Sequence, residues 1–138
     1  MLMRKIVSLI FAGLCALMLV TSCQKDEWNF DYPQDILCGG TRVGTAVRID
    51  GSWIDITSPL YSRLQFTIRF NTDGTYYGTG YFGNGSGTYT LDGKNIYTYV
   101  DSKPYYNYTV KSMTGTEAEL TMSNSSGSST IDIRVMRR

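Results

Sequence analysis

The chain has no histidine, so the commonest general base and the commonest metal-ligating side chain are both absent. A Ser-His-Asp or Cys-His nucleophile cannot be assembled, and no group of cysteines or carboxylates has metal-ligand spacing. No metal, no cofactor and no enzymatic activity are expected. Cysteine is scarce: Cys15, Cys23 and Cys38 are the only three. If Cys23 is modified, as argued below, Cys38 has no partner, and the fold must rely on its core without a disulfide framework. Cys38 then reads as a small buried residue, with a reactive thiol as the alternative. Charge of one sign is lacking too. Beyond residue 22 there are eleven Lys or Arg and twelve Asp or Glu, so nothing suggests the concentrated positive face that nucleic acid requires. After residue 20 no long apolar run remains.

The one long apolar run is at the start. Arg4 and Lys5 precede Ile6 to Val20, and Thr21-Ser22 follow with small side chains. A positive n-region, an apolar core and a small-residue cleavage site make residues 1–22 a secretory signal. The run is at the short edge for a membrane span, which takes about 20 apolar residues; an uncleaved N-terminal anchor is the alternative. Val20-Thr21-Ser22-Cys23 resembles the bacterial lipoprotein lipobox. The resemblance implies that Cys23 is acylated, with palmitate among its chains, and becomes the new N-terminus. Two or more acyl chains anchor stably, at ~0.8 kcal/mol per buried CH₂. Leu14 is too bulky to precede a cleavage point, so Cys15 fits far worse. Gln24-Lys25-Asp26-Glu27 looks like the export signal of surface lipoproteins in the Bacteroidota. That likeness implies an outer-membrane protein facing the cell surface, with the periplasm-facing leaflet as the alternative.

Without residues 1–22 the 138-residue chain keeps 116, enough for one domain. Residues 23–31 read as a lipidated tether and 32–138 as a single β domain. Val43, Thr45, Val47 and Ile49 alternate with Arg42, Gly44, Ala46 and Arg48; Leu64, Phe66, Ile68 and Phe70 alternate with polar neighbours; Ala118, Leu120 and Met122, then Ile131, Ile133 and Val135, do the same. Period-two alternation puts one side on a core and the other in water. Asp50-Gly51, Asp73-Gly74 and Asp92-Gly93 are hairpin pairs able to supply positive φ. The pattern predicts strands near 41–50, 64–71, 74–82, 86–92, 95–101, 104–112, 116–123 and 129–137. Short links make this an all-β, up-and-down antiparallel meander of about eight strands, which closes into a barrel and so leaves no edges. Pro33 and Gly39-Gly40 bracket one helical turn. The longest link, Ser52 to Arg63, is apolar enough to be expected over one barrel mouth.

This order resembles the lipocalin-like lipoproteins of the Bacteroidota: a lipidated tether, a short helix, a Gly-Thr start to the first strand, a long first loop and a meander. "FNTDGTYYGTGYFGNGSGTYTL" (Phe70 to Leu91) is the most specific part. The resemblance implies a small calycin-like barrel. Two departures stand out: Gly40-Thr41 is followed by Arg42 where lipocalins carry Gly-x-Trp, and no helix follows the last strand.

Gly78-Thr79-Gly80-Tyr81-Phe82-Gly83 matches G-x-G-x-x-G literally, but no helix can start after it, so a dinucleotide site is rejected. Glu117 and Glu119 share a strand face at glycosidase-like spacing, yet Ala118 and Leu120 send both to solvent, and nothing nearby would tune either as an acid or base. The tyrosines remain, nine of eleven lying between Tyr76 and Tyr108. If Tyr76 and Phe82 point inward, Gly78 and Gly80 do too and leave space beside aromatic walls; the opposite parity, with Tyr77 and Tyr81 inside, fills it. The residues expected at a ligand are Trp53, Phe66, Phe70, Tyr76, Gly78, Gly80, Tyr89 and Tyr108. Outward Tyr97, Tyr99 and Tyr105 could form a platform for sugars.

Two functions compete. In the first, a lipid-anchored module takes a small hydrophobic or amphipathic ligand in the barrel or at the mouth beneath residues 53–61, and an internal void of a few hundred Å³ is expected. In the second, a surface interaction or accessory protein (an adhesin or glycan-associated subunit) has a solid barrel, an exposed apolar patch and a protein partner that the sequence does not identify.

Overall fold

Apolar alternation along the chain becomes a rolled sheet whose inner face is the core. The computed structural model describes residues 28–138; the expected signal peptide, Cys23 and the expected export signal at Gln24–Glu27 lie outside the described residues. A single helical turn, α1 (Gln34–Leu37), leads into nine strands: β1 (Arg42–Ile49), β2 (Ser52–Asp55), β3 (Phe66–Phe70), β4 (Thr75–Gly80), β5 (Gly85–Asp92), β6 (Asn95–Val100), β7 (Lys103–Met113), β8 (Glu117–Ser123) and β9 (Thr130–Arg137). All pairings between strands are antiparallel. β9 returns to β1, and β1 also pairs with β3, so eight strands form a closed barrel with β2 outside it. Eight strands enclose a space just wide enough for side chains to fill. The fold class expected from the periodicity is the one observed.

Three local features differ from the sequence reading. The first is the phase of β1. A register shift between Gly44 and Ala46 inserts one residue opposite β9, so the inward set is Arg42, Gly44 and Val47. A β-bulge reverses the side-chain parity on one side of itself. Val43 is consequently only half-buried while Arg42 is buried; Ile49, in phase with Val47 but at the end of the strand, is 41% exposed. The second is the long link. Asp50 and Gly51 both take positive φ (51° and 79°), and this two-residue turn folds Ser52–Asp55 back on β1, pairing Arg48 with Trp53. The remainder is a 3-10 helix at Pro59–Leu64 with no buried residue. Only Ile56 from this link is fully buried.

The third is the stretch read as tether. Residues 28–31 pack against the barrel: Phe30 bridges Gly93 and is buried, and the Trp28 indole donates to the Tyr32 carbonyl at 2.9 Å. Trp28, Phe30 and Tyr32 form an aromatic chain, with centroid separations of 6.2 and 5.5 Å. This segment, α1 and the β3–β4, β5–β6 and β7–β8 turns share one end of the barrel. The turns at 81–84, 101–102 and 124–129 share the other.

Candidate functional site

The parity that the sequence left open is settled by β4. Tyr76 and Gly78 face inward and are buried, while Tyr77 and Tyr81 are exposed. Of the eight residues expected at a ligand, five aromatic rings meet in the lumen. Phe70 stands at the centre, 5.6 Å from the Tyr76 ring, 5.1 Å from Tyr89 and 5.9 Å from Tyr108. Phe66 lies towards the other end, edge-on to Phe82 at 5.0 Å. The Tyr76 and Tyr108 hydroxyls hydrogen-bond each other at 3.2 Å. Burial pushes the Tyr76 phenol up to about 12 and the Tyr108 phenol well above its ordinary value. Both are neutral packing groups at any physiological pH.

These rings leave almost nothing empty. The cavity bounded by Phe66, Tyr76, Gly78, Phe82, Tyr105, Tyr106, Tyr108 and Met122 measures about 10 Å³, at the limit for one water, which needs about 10–15 Å³. The expected void of a few hundred Å³ is not there. The space beside Gly78 is taken by the phenol of Tyr76, with which any Cβ there would collide. Gly80 does not open the lumen either. It takes φ 105° at the end of β4, where a Cβ would lie only 2.6 Å from the Phe66 Cα. Trp53 is outside the barrel altogether, with Arg134 over its ring at 3.9 Å. The tyrosine expected on the outer face, Tyr105, turns to the lumen with Tyr106, the two rings 4.7 Å apart. The cause is a second bulge: Asn107 pairs with Tyr97 and Pro104 with Tyr99, so β7 carries an extra residue there. Tyr97 and Tyr99 stay half-buried on the outer side of β6.

Several surface concavities reach ligand size, and one of them is a groove at the helix-bearing end. It measures about 660 Å³ and is lined by Trp28, Gln34, Thr72, Asp73, Gly74, Tyr89, Thr90 and Leu91. Three pieces of chain converge on it: the N-terminal segment with α1, the β3–β4 turn, and the end of β5. Asp73 is held by its own turn, its Oδ1 accepting from the Thr75 amide at 3.0 Å and the Thr75 hydroxyl at 2.6 Å. Those bonds keep its carboxyl below the usual carboxylate range, so it presents a negative charge at neutral pH. Tyr89 forms the floor. Its hydroxyl donates to the Asn71 carbonyl at 2.7 Å and, that proton being used, accepts from the Cys38 thiol at 3.3 Å. Of the groove residues the sequence reading had singled out only Tyr89. Trp28-Asn29-Phe30-Asp31-Tyr32 carries the missed signal, because aromatics at alternate positions suit a packed extended segment better than a tether.

Comparison with protein-family models, with curated proteins and with solved structures found no match. The closed eight-stranded antiparallel barrel is consistent with a calycin-like fold.

Other motifs fall elsewhere. The Gly78–Gly83 run ends β4 and turns into β5, with no helix after it. Glu117 and Glu119 sit on the outer face of β8, and Glu119 pairs with Arg134 at 3.1 Å. Among the described residues no three His, Cys, Asp or Glu side chains are grouped to hold a metal ion.

Proposed function

We propose that this protein is a non-enzymatic binding module of the cell envelope, moored in the outer membrane through acylated Cys23 and displayed on the cell surface. It takes a small amphipathic ligand at the mouth of the barrel, not inside it. One contrast carries this reading: the lumen holds about 10 Å³, whereas the groove holds about 660 Å³, within the ~300–1,000 Å³ usual for small-molecule sites. Its chemistry is mixed. Trp28 spends its N–H on Tyr32 and so offers ring face, and Leu91 adds apolar surface. Gln34, Thr72, Thr90 and the free Oδ2 of Asp73 supply donors and acceptors. An apolar wall with a few placed polar groups suits a ligand that is greasy on one side and hydroxylated on the other.

The chain has two tryptophans, so with Trp53→Phe only Trp28 reports by fluorescence. Titration with short-chain alkyl glycosides should give a saturable change that Asp73→Ala weakens at least tenfold and Tyr108→Phe leaves alone. No saturable change with any member of such a series would overturn the groove reading.

A second reading is favoured by a separate observation. Leu60, on the 3-10 helix after β2, is 80% exposed and Tyr61 beside it 37%, and a solid barrel with an exposed apolar patch is what an interaction protein predicts. Under that reading, loss of a cell-surface protein partner on Leu60→Glu would occur with glycoside binding unchanged.

A further inference from the structure

The bulge in β1 turns Arg42 into the interior, where it is 2% exposed. Thr98, the other buried polar residue, is satisfied by the Tyr106 carbonyl at 2.5 Å. Arg42 is not satisfied. Its Nη2 donates to the carbonyls of Ile36 at 2.6 Å and Thr114 at 3.3 Å, but its Nε and Nη1 are enclosed without an acceptor. Arg137 arrives from β9 at the same place. Its Nη2 donates to the Ile36 carbonyl at 2.9 Å and the Asp35 carbonyl at 3.2 Å, and its Nε is likewise enclosed and unpartnered. The Arg137 guanidinium lies so close over Gly39 that any Cβ there would strike it.

Two cations therefore converge on one backbone oxygen. Their acceptors are neutral carbonyls, and three nitrogens carrying four N–H bonds remain unpartnered. The ion pairs among the described residues involve Arg48, Lys111 and Arg134, never these two. Burial, then the neighbouring charge of Arg137, lowers the pKa of Arg42; a guanidinium starts so high that it stays protonated regardless. A buried charge without a counter-charge is strongly unfavourable, and guanidinium is the side chain best suited to hold an anion with several N–H donors.

We propose that a small monovalent anion of the halide class is held between Arg42 and Arg137 beneath α1, as a built-in counter-ion that locks the helical turn over the barrel end. The halide class follows from size and enclosure. The binding groove described above touches neither arginine, and the orphan nitrogens have essentially no solvent exposure, which leaves no room for a sugar phosphate or a lipid headgroup. This inference is independent of what the groove binds.

Crystals of the mature protein grown in sodium bromide should show an anomalous peak between the two guanidinium groups. In solution, the melting temperature should rise with chloride at constant ionic strength made up with gluconate, and Arg42→Met should abolish that rise. Water or a carboxylate side chain at the bromide position, or an equal chloride response in Arg42→Met, would overturn the proposal. If Arg42→Met does not fold, the bromide experiment on the unaltered chain decides alone.

Discussion

At the scale of single residues, the lumen rests on one hydroxyl pair. Tyr76 and Tyr108 satisfy each other at 3.2 Å inside an aromatic cluster. Tyr108→Phe leaves the Tyr76 hydroxyl buried without its partner, which costs about 1–3 kcal/mol, whereas losing both hydroxyls together can be nearly neutral. Urea denaturation should therefore find the Tyr76→Phe/Tyr108→Phe double variant more stable than Tyr108→Phe alone. Cys38 gives a second expectation. Burial raises its thiol, and the charge of Asp73 raises it further. Only the thiolate is nucleophilic. Iodoacetamide at pH 8 should label Cys38 more slowly than an exposed thiol, with the gap closing only as the pH passes the ordinary thiol range. Rapid labelling at pH 8 would contradict this environment.

At the scale of elements, the outer face of β7, β8, β9 and β1 carries the charge. Asp132 accepts from the Thr121 hydroxyl at 2.7 Å and meets Lys111 at 3.1 Å and Arg48 at 3.6 Å. The Thr121 bond chiefly depresses its pKa, slight burial opposes, and Lys111 and Arg48 add to the depression. A carboxyl depressed in the folded state stabilises fully above its unfolded pKa of about 3.9, and that contribution is lost as pH falls through the lower folded value. Asp132→Asn should cost about 0.5–1.5 kcal/mol at pH 7, and the difference should vanish in strong acid; a constant difference across that range would assign the loss to packing. The eight barrel strands were legible because clean alternation and Asp-Gly turns mark a meander. What stayed hidden comes down to the bulges. Nothing in Arg42-Val43-Gly44-Thr45-Ala46 announces an extra residue, yet it moves an arginine from solvent to core. In Tyr105-Tyr106 the same device sends two neighbours to one side, so Tyr105, read as an outward ring, turns inward. β2 was hidden differently, because four residues are too few to show a period.

At the scale of the whole molecule, mooring and packing divide the chain. With Cys23 acylated as proposed, Cys23→Ser should abolish incorporation of labelled palmitate and release the protein from the membrane fraction. Protease added to intact cells should degrade the lipidated form; resistance until lysis would place it on the inner leaflet instead. The docking of Trp28 on the barrel then sets a geometry of its own. Four residues lie between Cys23 and Trp28, and five extended steps of chain span at most about 18 Å. On the proposed mooring, the end bearing the groove would sit close above the lipid headgroups, and a molecule would reach it sideways along the bilayer. The rim made by turns 81–84, 101–102 and 124–129 then looks outward as the protein's distal crown.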